Sequence, residues 1–324
     1  MSHPYSALTP EAVLDAVASL GLAPDGRLLS LNSYENRVYQ VWLDEGSPHG
    51  AAIVAKFYRP GRWTRAQIDE EHAFARELAE REVPVVAPFR CEEIAGFVVA
   101  LYPRRGGRPP NLEDPAVLEW IGRFLGRIHA VGASQPFKLR PALTVETFGL
   151  EPREWLLRHA SIPADVLDAW KAVSSQALDF VRQGFEDAGE ITCLRLHGDC
   201  HPGNILWTED GPHFVDLDDA RMGPAVQDLW MLLSGDRAAQ SAQLRHVLAG
   251  YEQFRPFDRR ELRLVEALRT LRLLHYSGWI ARRWDDPAFP AAFPWFGTQR
   301  YWQDRILELK EQVALMSEEP LSPD

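Results

Sequence analysis

The residues best equipped for chemistry lie between Leu196 and Ala220, in L-H-G-D-C-H-P-G-N-I-L-W-T-E-D-G-P-H-F-V-D-L-D-D-A. The pattern reads as a loop, a short apolar strand, a turn and a second apolar strand over Phe214 to Leu217. The loop holds Asp199 and, five residues on, Asn204. The second strand runs into three acids, Asp216, Asp218 and Asp219. A hairpin brings the loop beside the end of its second strand. One carboxylate can then serve as a base while another, with the asparagine oxygen, holds a hard cation. Magnesium suits oxygen ligands of this kind and usually arrives with phosphates.

This spacing resembles the protein-kinase pattern H-R-D-x-x-x-x-N followed by D-F-G. His197-Gly198-Asp199 stands in the first place, Asn204 in that of the asparagine, and Asp216 in that of the metal-binding aspartate. The form H-G-D-x-H-x-x-N is similar to the aminoglycoside phosphotransferase and choline kinase branch of the kinase-like superfamily. More narrowly, H-G-D-C-H-P-G-N-I-L-W, F-V-D-L-D-D-A-R and G-P-A-V-Q-D-L-W-M-L-L resemble the bacterial stress response kinase A family, also called RdoA-like kinases. The motifs are long and mutually ordered, and the resemblance covers nearly the whole chain. It implies an α+β, two-lobed protein-kinase-like fold: a small N-terminal β-sheet lobe with a key helix, and a larger, mainly helical C-terminal lobe. It also implies ATP and Mg2+ as cofactors, protein Ser/Thr hydroxyls as acceptors, autophosphorylation and a role in surviving stress.

The elements that must position these residues can be read in order. Thr9-Pro10 opens a helix with Val13, Leu14, Val17 and Leu20 on one face, and Gly21 is its stop. Strands are expected at Leu28–Leu31, Val38–Leu43 and Ala51–Tyr58. Thr64 caps a helix running to about Glu82, with Ile68, Phe74, Ala75, Leu78 and Ala79 on its apolar face. V-P-V-V-A-P reads as a strand reaching Cys91, and Gly96–Tyr102 as another. The Gly/Pro-rich P-R-R-G-G-R-P-P that follows reads as a hinge. The expected lobes are residues 1–103 and 111–324, with 104–110 as linker. Beyond Asp114-Pro115 the pattern is helical, first to near His129 and then over Glu154–His159, Ala164–Phe185, Ala225–Leu233, Ala239–Tyr251, Arg259–Arg283 and about Gln299–Met316.

Lys56 stands inside the apolar strand I-V-A-K-F-Y, where a buried ammonium needs a partner. The alternative is an edge lysine facing water; the resemblance makes it the phosphate-contacting lysine. Glu71 lies mid-face on the next helix and is paired with Lys56, with Glu70 on the flank as the other choice. Nucleotide contacts are expected from Lys56, from the turn residues Ser33 and Asn36, and from backbone near Tyr102. That turn, Asn32-Ser33-Tyr34-Glu35-Asn36-Arg37, carries no glycine, so it departs from the Gly-rich loop of kinases. Asp199 is the expected base, and Asn204 and Asp216 the metal ligands. The resemblance makes His197 a support for the catalytic loop and Asp228 the buried acid that fixes that loop by hydrogen bonds. His129 reads as structural and Cys200 as a packed thiol. His201 is regular in the phosphotransferase branch, but its role stays open. Asp218 and Asp219 stay open between a second metal or cationic group, Arg221, and capping. The short interval from Asp216 to Pro224 leaves no room for a long activation loop.

The chain has 324 residues, 46% hydrophobic and 25% charged, enough for two lobes with sizeable cores. A net charge of −11 argues against nucleic acid as a partner. The cysteines Cys91, Cys193 and Cys200 make no metal spacing and point to a reducing, cytoplasmic setting. No signal-like start and no bilayer-length apolar run is present, so no membrane partner is expected, and the chain is taken as a monomer. Three functions are carried forward: a protein Ser/Thr kinase, favoured by the resemblance; a kinase of an amino alcohol, homoserine-like compound or aminoglycoside; and a non-catalytic nucleotide-binding scaffold. The complete set of Lys56, Glu71, Asp199, Asn204 and Asp216 argues against the last.

Overall fold

The computed structural model describes residues 4–160 and 162–323. In chain order the first elements are α1 (Pro10–Ser19), β1 (Pro24–Ser30), β2 (Arg37–Leu43), β3 (Ala52–Phe57), α2 (Arg65–Glu80), β4 (Arg90–Ile94) and β5 (Phe97–Pro103). Then come α3 (Pro115–Gly132), α4 (Glu151–His159), α5 (Ala164–Ala188), β6 (Leu194–Leu196), β7 (Ile205–Thr208), β8 (Gly211–Phe214) and β9 (Arg221–Gly223). The chain closes with α6 (Val226–Trp230), α7 (Arg237–Tyr251), α8 (Val265–Arg282), α9 (Ala288–Ala292) and α10 (Gln299–Met316). No described helix is long and apolar enough to cross a membrane.

Two compact units result. One joins Met1–Pro110 with Gly203–Asp218; the other joins Asn111–Pro202 with Asp219–Asp324. The break at Pro110 falls at the end of the expected linker. The expected C-terminal lobe of 111–324 needs correcting, because the β7–β8 hairpin belongs to the first unit. Its backbone explains why: Arg108 and Trp207 exchange N–H···O=C bonds, Val86 N–H donates to Phe214 and Phe214 N–H donates to Pro84.

In the first unit an antiparallel sheet runs in the order β1-β2-β3-β5-β4. The strict alternation of β3 sets its two faces. Ile53, Ala55 and Phe57 are buried with Val13 and Val17 of α1, Val41 of β2 and Val99 and Leu101 of β5. Lys56 and Tyr58 therefore point to the other face, where Tyr58 packs with Ile68 of α2 and Ala100 of β5. Thr64 caps α2 in a reciprocal capping box with Gln67. Its buried face is Ile68, Glu71, His72, Phe74, Ala75 and Leu78; Ala79, near the helix end, is exposed. The expected strand over Val83–Pro88 is an extended connection instead, since Pro84 and Pro88 remove ladder donors, and the strand begins at Arg90.

The second unit is largely helical, with α3 against α7 and α5, α8 and α10 against one another. At Gly122 of α3 a side chain would collide with the Val247 carbonyl of α7, so the two helices cross backbone to backbone. The expected helix over Arg259–Arg283 begins as a 3-10 segment, Arg259–Leu264, before α8. β6 and β9 form a two-stranded ladder.

Candidate active site

Lys56 carries the electrostatics of the first unit's site. Its side chain is 6% exposed, and its Nζ donates to Asp216 Oδ1 at 2.8 Å and lies 3.2 Å from Asp218 Oδ1. Burial alone would pull the lysine down; Asp216, Asp218 and Glu71 outweigh it, and the ammonium titrates well above its ordinary value. Lys56 is in ion-pair contact with Asp216 and Asp218, and Glu71, the expected partner, adds to the field that holds its proton. Tyr58 touches both Lys56 and Glu71. Its ring lies 4.8 Å from the ammonium, and its hydroxyl donates to Glu71 Oε1 at 2.9 Å. Glu71 is 2% exposed, whereas Glu70 is half-buried, which settles the choice of helix phase.

Lys56, Glu71, Asn204 and Asp216 line one cleft of about 350 Å³, and Ser33 and Tyr102 border it as well. Its apolar walls include Leu31, Val38, Val54 and Leu206. An apolar slot ending in a cation and oxygen ligands has the polarity of a nucleotide, base at one end and phosphates at the other. Asn204 is fixed through its carbonyl, which accepts the Val215 N–H at 3.0 Å. The expected strand over Phe214–Leu217 stops at Phe214. Asp216 takes φ 62°, the left-handed region, and a 3-10 turn, Leu217–Asp219, follows. The kink turns the Asp216 carboxylate out of the ladder, and it stays 52% exposed. Asn204 and Asp216 offer an amide oxygen and a carboxylate on the same cleft, the donor set a small hard divalent cation takes.

Asn36 is corrected. It is 2% exposed and does not line the cleft: its Nδ2 donates to Asp218 Oδ2 at 3.0 Å and its Oδ1 accepts the Arg59 N–H at 3.0 Å. Both ends of the amide are used internally, so it positions the turn. Glu35, beside it, is ion-paired with Arg59 Nε at 3.0 Å. The glycine-free turn is bolted to the sheet by these bonds. Asp218, left open by the sequence, is 3% exposed and joins Lys56, Asn36 and Arg62. Arg59 and Arg62 follow Lys56 in Y-R-P-G-R-W, a basic pair that sequence reasoning passed over.

The catalytic-loop residues of the second unit hang on Asp228, at 0% exposure. It accepts the main-chain N–H groups of His197 and Gly198, each at 2.8 Å, and pairs with His129 Nε2 at 3.0 Å. His129 Nδ1 reaches the Tyr251 hydroxyl at 3.0 Å. Burial would raise Asp228; the His129 hydrogen bond, the charges of His129 and His197, and the Gly198 N–H outweigh it and hold the carboxylate below its ordinary value. Gly198 sits at φ +87°, and a side chain there would strike the Asp219 carbonyl. Asp199, one residue on, is held at 2.6 Å by Arg272 of α8, with His201 Nε2 at 3.6 Å. Asp219 pairs with Arg221 at 2.6 Å, one of the alternatives the sequence left open. Cys200 is fully buried, and burial, with Asp228 and Asp199 adding to it, pushes its thiol well up, so it is a packed, unreactive group.

The sequence profile of the phosphotransferase enzyme family matches residues 27–265. The chain is 44% identical over 322 residues to stress response kinase A of Escherichia coli (strain K12), covering 98% of this chain and 96% of that one. The same figures hold for the serine/threonine protein kinase RdoA of Salmonella typhimurium. Among solved structures, amicoumacin kinase hAmiN, in complex with AMP-PNP, Ca2+ and Ami, superposes with a TM-score of 0.71 at 19% identity, over 95% of each chain. The microcompartment-associated aminopropanol kinase gives 0.67 at 19% identity, over 94% of this chain and 96% of that one. These likenesses show the kinase-like α+β fold, and the sequence relatives show the lineage: the chain belongs to the phosphotransferase enzyme family, among its stress response kinases A.

Proposed function

We propose that the protein transfers the γ-phosphoryl group of ATP to serine or threonine hydroxyls of proteins. The observation that carries this reading is the buried Lys56 held on the half-exposed Asp216, in a cleft that also presents Asn204. Lys56 supplies a fixed positive charge for phosphate oxygens, and the apolar walls receive the base. Asn204 and Asp216 would hold Mg2+, which when bound neutralises charge on the phosphates. AMP-PNP and Ca2+ in the amicoumacin kinase complex support a nucleotide and a divalent metal here. Asp199 is the base that orients the acceptor hydroxyl and takes its proton, and Arg272 fixes its carboxylate. His197 and Asp228 hold the loop in place.

Two observations support a protein acceptor. A relative of 44% identity is named a serine/threonine protein kinase. In the helical unit, the groove of about 520 Å³ that includes Arg272 is lined by Arg269 and Arg305 as well as Glu308 and Glu311. A small ammonium substrate calls for an acidic pocket; this open groove of mixed charge suits a peptide segment better. The cytoplasm, where ATP is available, is the proposed compartment, and the working form is taken as a monomer.

The test is incubation with labelled ATP and Mg2+, comparing the native chain with Asp199→Ala. Label is followed on the chain, on a generic protein acceptor and on a panel of amino alcohols and aminoglycosides. Label on protein, lost in the variant, is expected. Label on a small molecule alone moves the acceptor to the metabolite class, and no Asp199-dependent transfer despite nucleotide binding leaves a scaffold.

A further inference from the structure

On the first unit, α2 and β4 bring together three side chains that the phosphotransfer chemistry does not use. Asp69 and His72 stand one helical turn apart on α2, and Cys91 lies on β4. One ligand atom from each lies within 4.8 Å of the other two. A carboxylate oxygen, an imidazole nitrogen and a thiol sulfur at such spacing are the donors of a borderline-soft divalent ion, not of magnesium.

The three groups are also oriented. His72 is 1% exposed, and its Nε2 lies 2.8 Å from the Tyr58 hydroxyl and 3.3 Å from that of Tyr102. The tyrosine hydroxyls hold the ring in place, as partners of a ligating histidine do. Asp69 Oδ1 accepts Arg65 Nε at 2.9 Å, and Arg65 also reaches the Cys91 carbonyl at 3.2 Å. Arg65 thus braces the Asp69 carboxylate and the Cys91 backbone together. Asp69 is exposed and Cys91 half-buried, which gives an ion a way in from solvent.

We propose that Asp69, His72 and Cys91 form a zinc-class metal site, tetrahedral, with water as the fourth ligand. On binding, the Cys91 S–H proton leaves to solvent, bonds form from the ion to the Cys91 sulfur, the Asp69 carboxylate and the His72 ring, and five of the six aqua ligands of the hydrated ion are released, one staying as the fourth ligand. An open three-ligand site exchanges its ion, unlike a closed four-cysteine site. The ion ties α2 to β4 directly beside Glu71, so its occupancy fixes the helix that faces Lys56. The site stands apart from the identity of the phosphoryl acceptor.

The probe is Co2+, titrated into the reduced full-length chain and followed by absorption. One Co2+ per chain is expected, with a thiolate-to-metal band in the near ultraviolet and the strong visible bands of tetrahedral coordination, displaced by one equivalent of Zn2+. Cys91→Ser should abolish the thiolate band, and Asp69→Asn should weaken Co2+ binding by roughly tenfold or more. Both positions reach solvent, so these variants keep the fold, and buried His72 is left unchanged. Cys193→Ser, which removes an exposed thiol elsewhere, should leave the spectrum unchanged. Absence of stoichiometric binding, a thiolate band that survives in Cys91→Ser, or one lost in Cys193→Ser overturns the proposal.

Discussion

Lys56 and Asp216 meet at 2.8 Å with contrasting exposure, the lysine side chain at 6% and the aspartate at 52%. The cation is committed to the interior, while its partner still faces the cleft and can take a second cation. Asp216→Asn keeps the shape and removes the charge. Phosphoryl transfer should fall by at least ~100-fold, the scale of losing one preorganised electrostatic group. The melting temperature should move little, because Asp218 still faces Lys56 at 3.2 Å. Steady-state kinetics beside a thermal melt checks both halves.

Asp199 should separate binding from chemistry. Asp199→Asn retains the size and the link to Arg272 but cannot accept a proton. We expect kcat to drop by roughly 10²–10⁴-fold, with the dissociation constant of a fluorescent ATP analogue unchanged. A nucleotide affinity lowered in proportion to kcat would show that the residue binds nucleotide and is not the base.

Asp228 should matter for stability first. Asp228→Ala strips acceptors from two buried N–H groups and from His129 at once. The cost should be about 3–5 kcal/mol, read from the shift in urea midpoint. Asp228→Asn, which still offers one acceptor oxygen, should lie between native and alanine.

Glu261 predicts a pH effect. Its Oε2 accepts the Val226 N–H at 2.8 Å, capping the helix that carries Asp228. Burial, partly offset by that hydrogen bond, lifts its carboxyl from the ordinary 4.5 to about 7. The folded state therefore binds this proton more tightly than the unfolded state. Its contribution is fully present below about 4.5 and is lost as pH rises to about 7. The gap corresponds to at most about 3 kcal/mol. Glu261→Gln, which can still accept from Val226, should flatten this slope in denaturation curves at a series of pH values. An unchanged slope would falsify the assignment.

What the sequence showed depended on whether a signal was local. Lys56 stood out because an ammonium broke an apolar strand, and Glu71 because helix phase put an acid in an apolar face. Asp199, Asn204 and Asp216 share one short motif. Asn36 misled because an asparagine in a turn looks the same whether its amide meets a ligand or, as here, Asp218 and Arg59. Arg272 left no mark: it lies 73 residues from Asp199, and nothing near either residue announces the contact. His72 was hidden for a related reason, since one polar residue on a helix face says little until Tyr58, Tyr102 and Cys91 are placed around it. The strand over Phe214–Leu217 ended early because the pattern of apolar residues does not reveal a left-handed backbone at Asp216.

The membership of Gly203–Asp218 in the first unit has a consequence for synthesis. The ribosome releases the first 110 residues and then the 92 residues of 111–202 before the hairpin appears. At about 5–20 residues per second this interval lasts roughly 5–18 seconds. Through it the nascent sheet lacks Phe214, which in the finished chain lies against Pro84, Val85 and Val86 at 0% exposure. Until the hairpin appears, that valine strip has no Phe214 to pair with. Synthesis thus leaves the wall of the Lys56 cleft that Val86 and Asn204 share to be completed late.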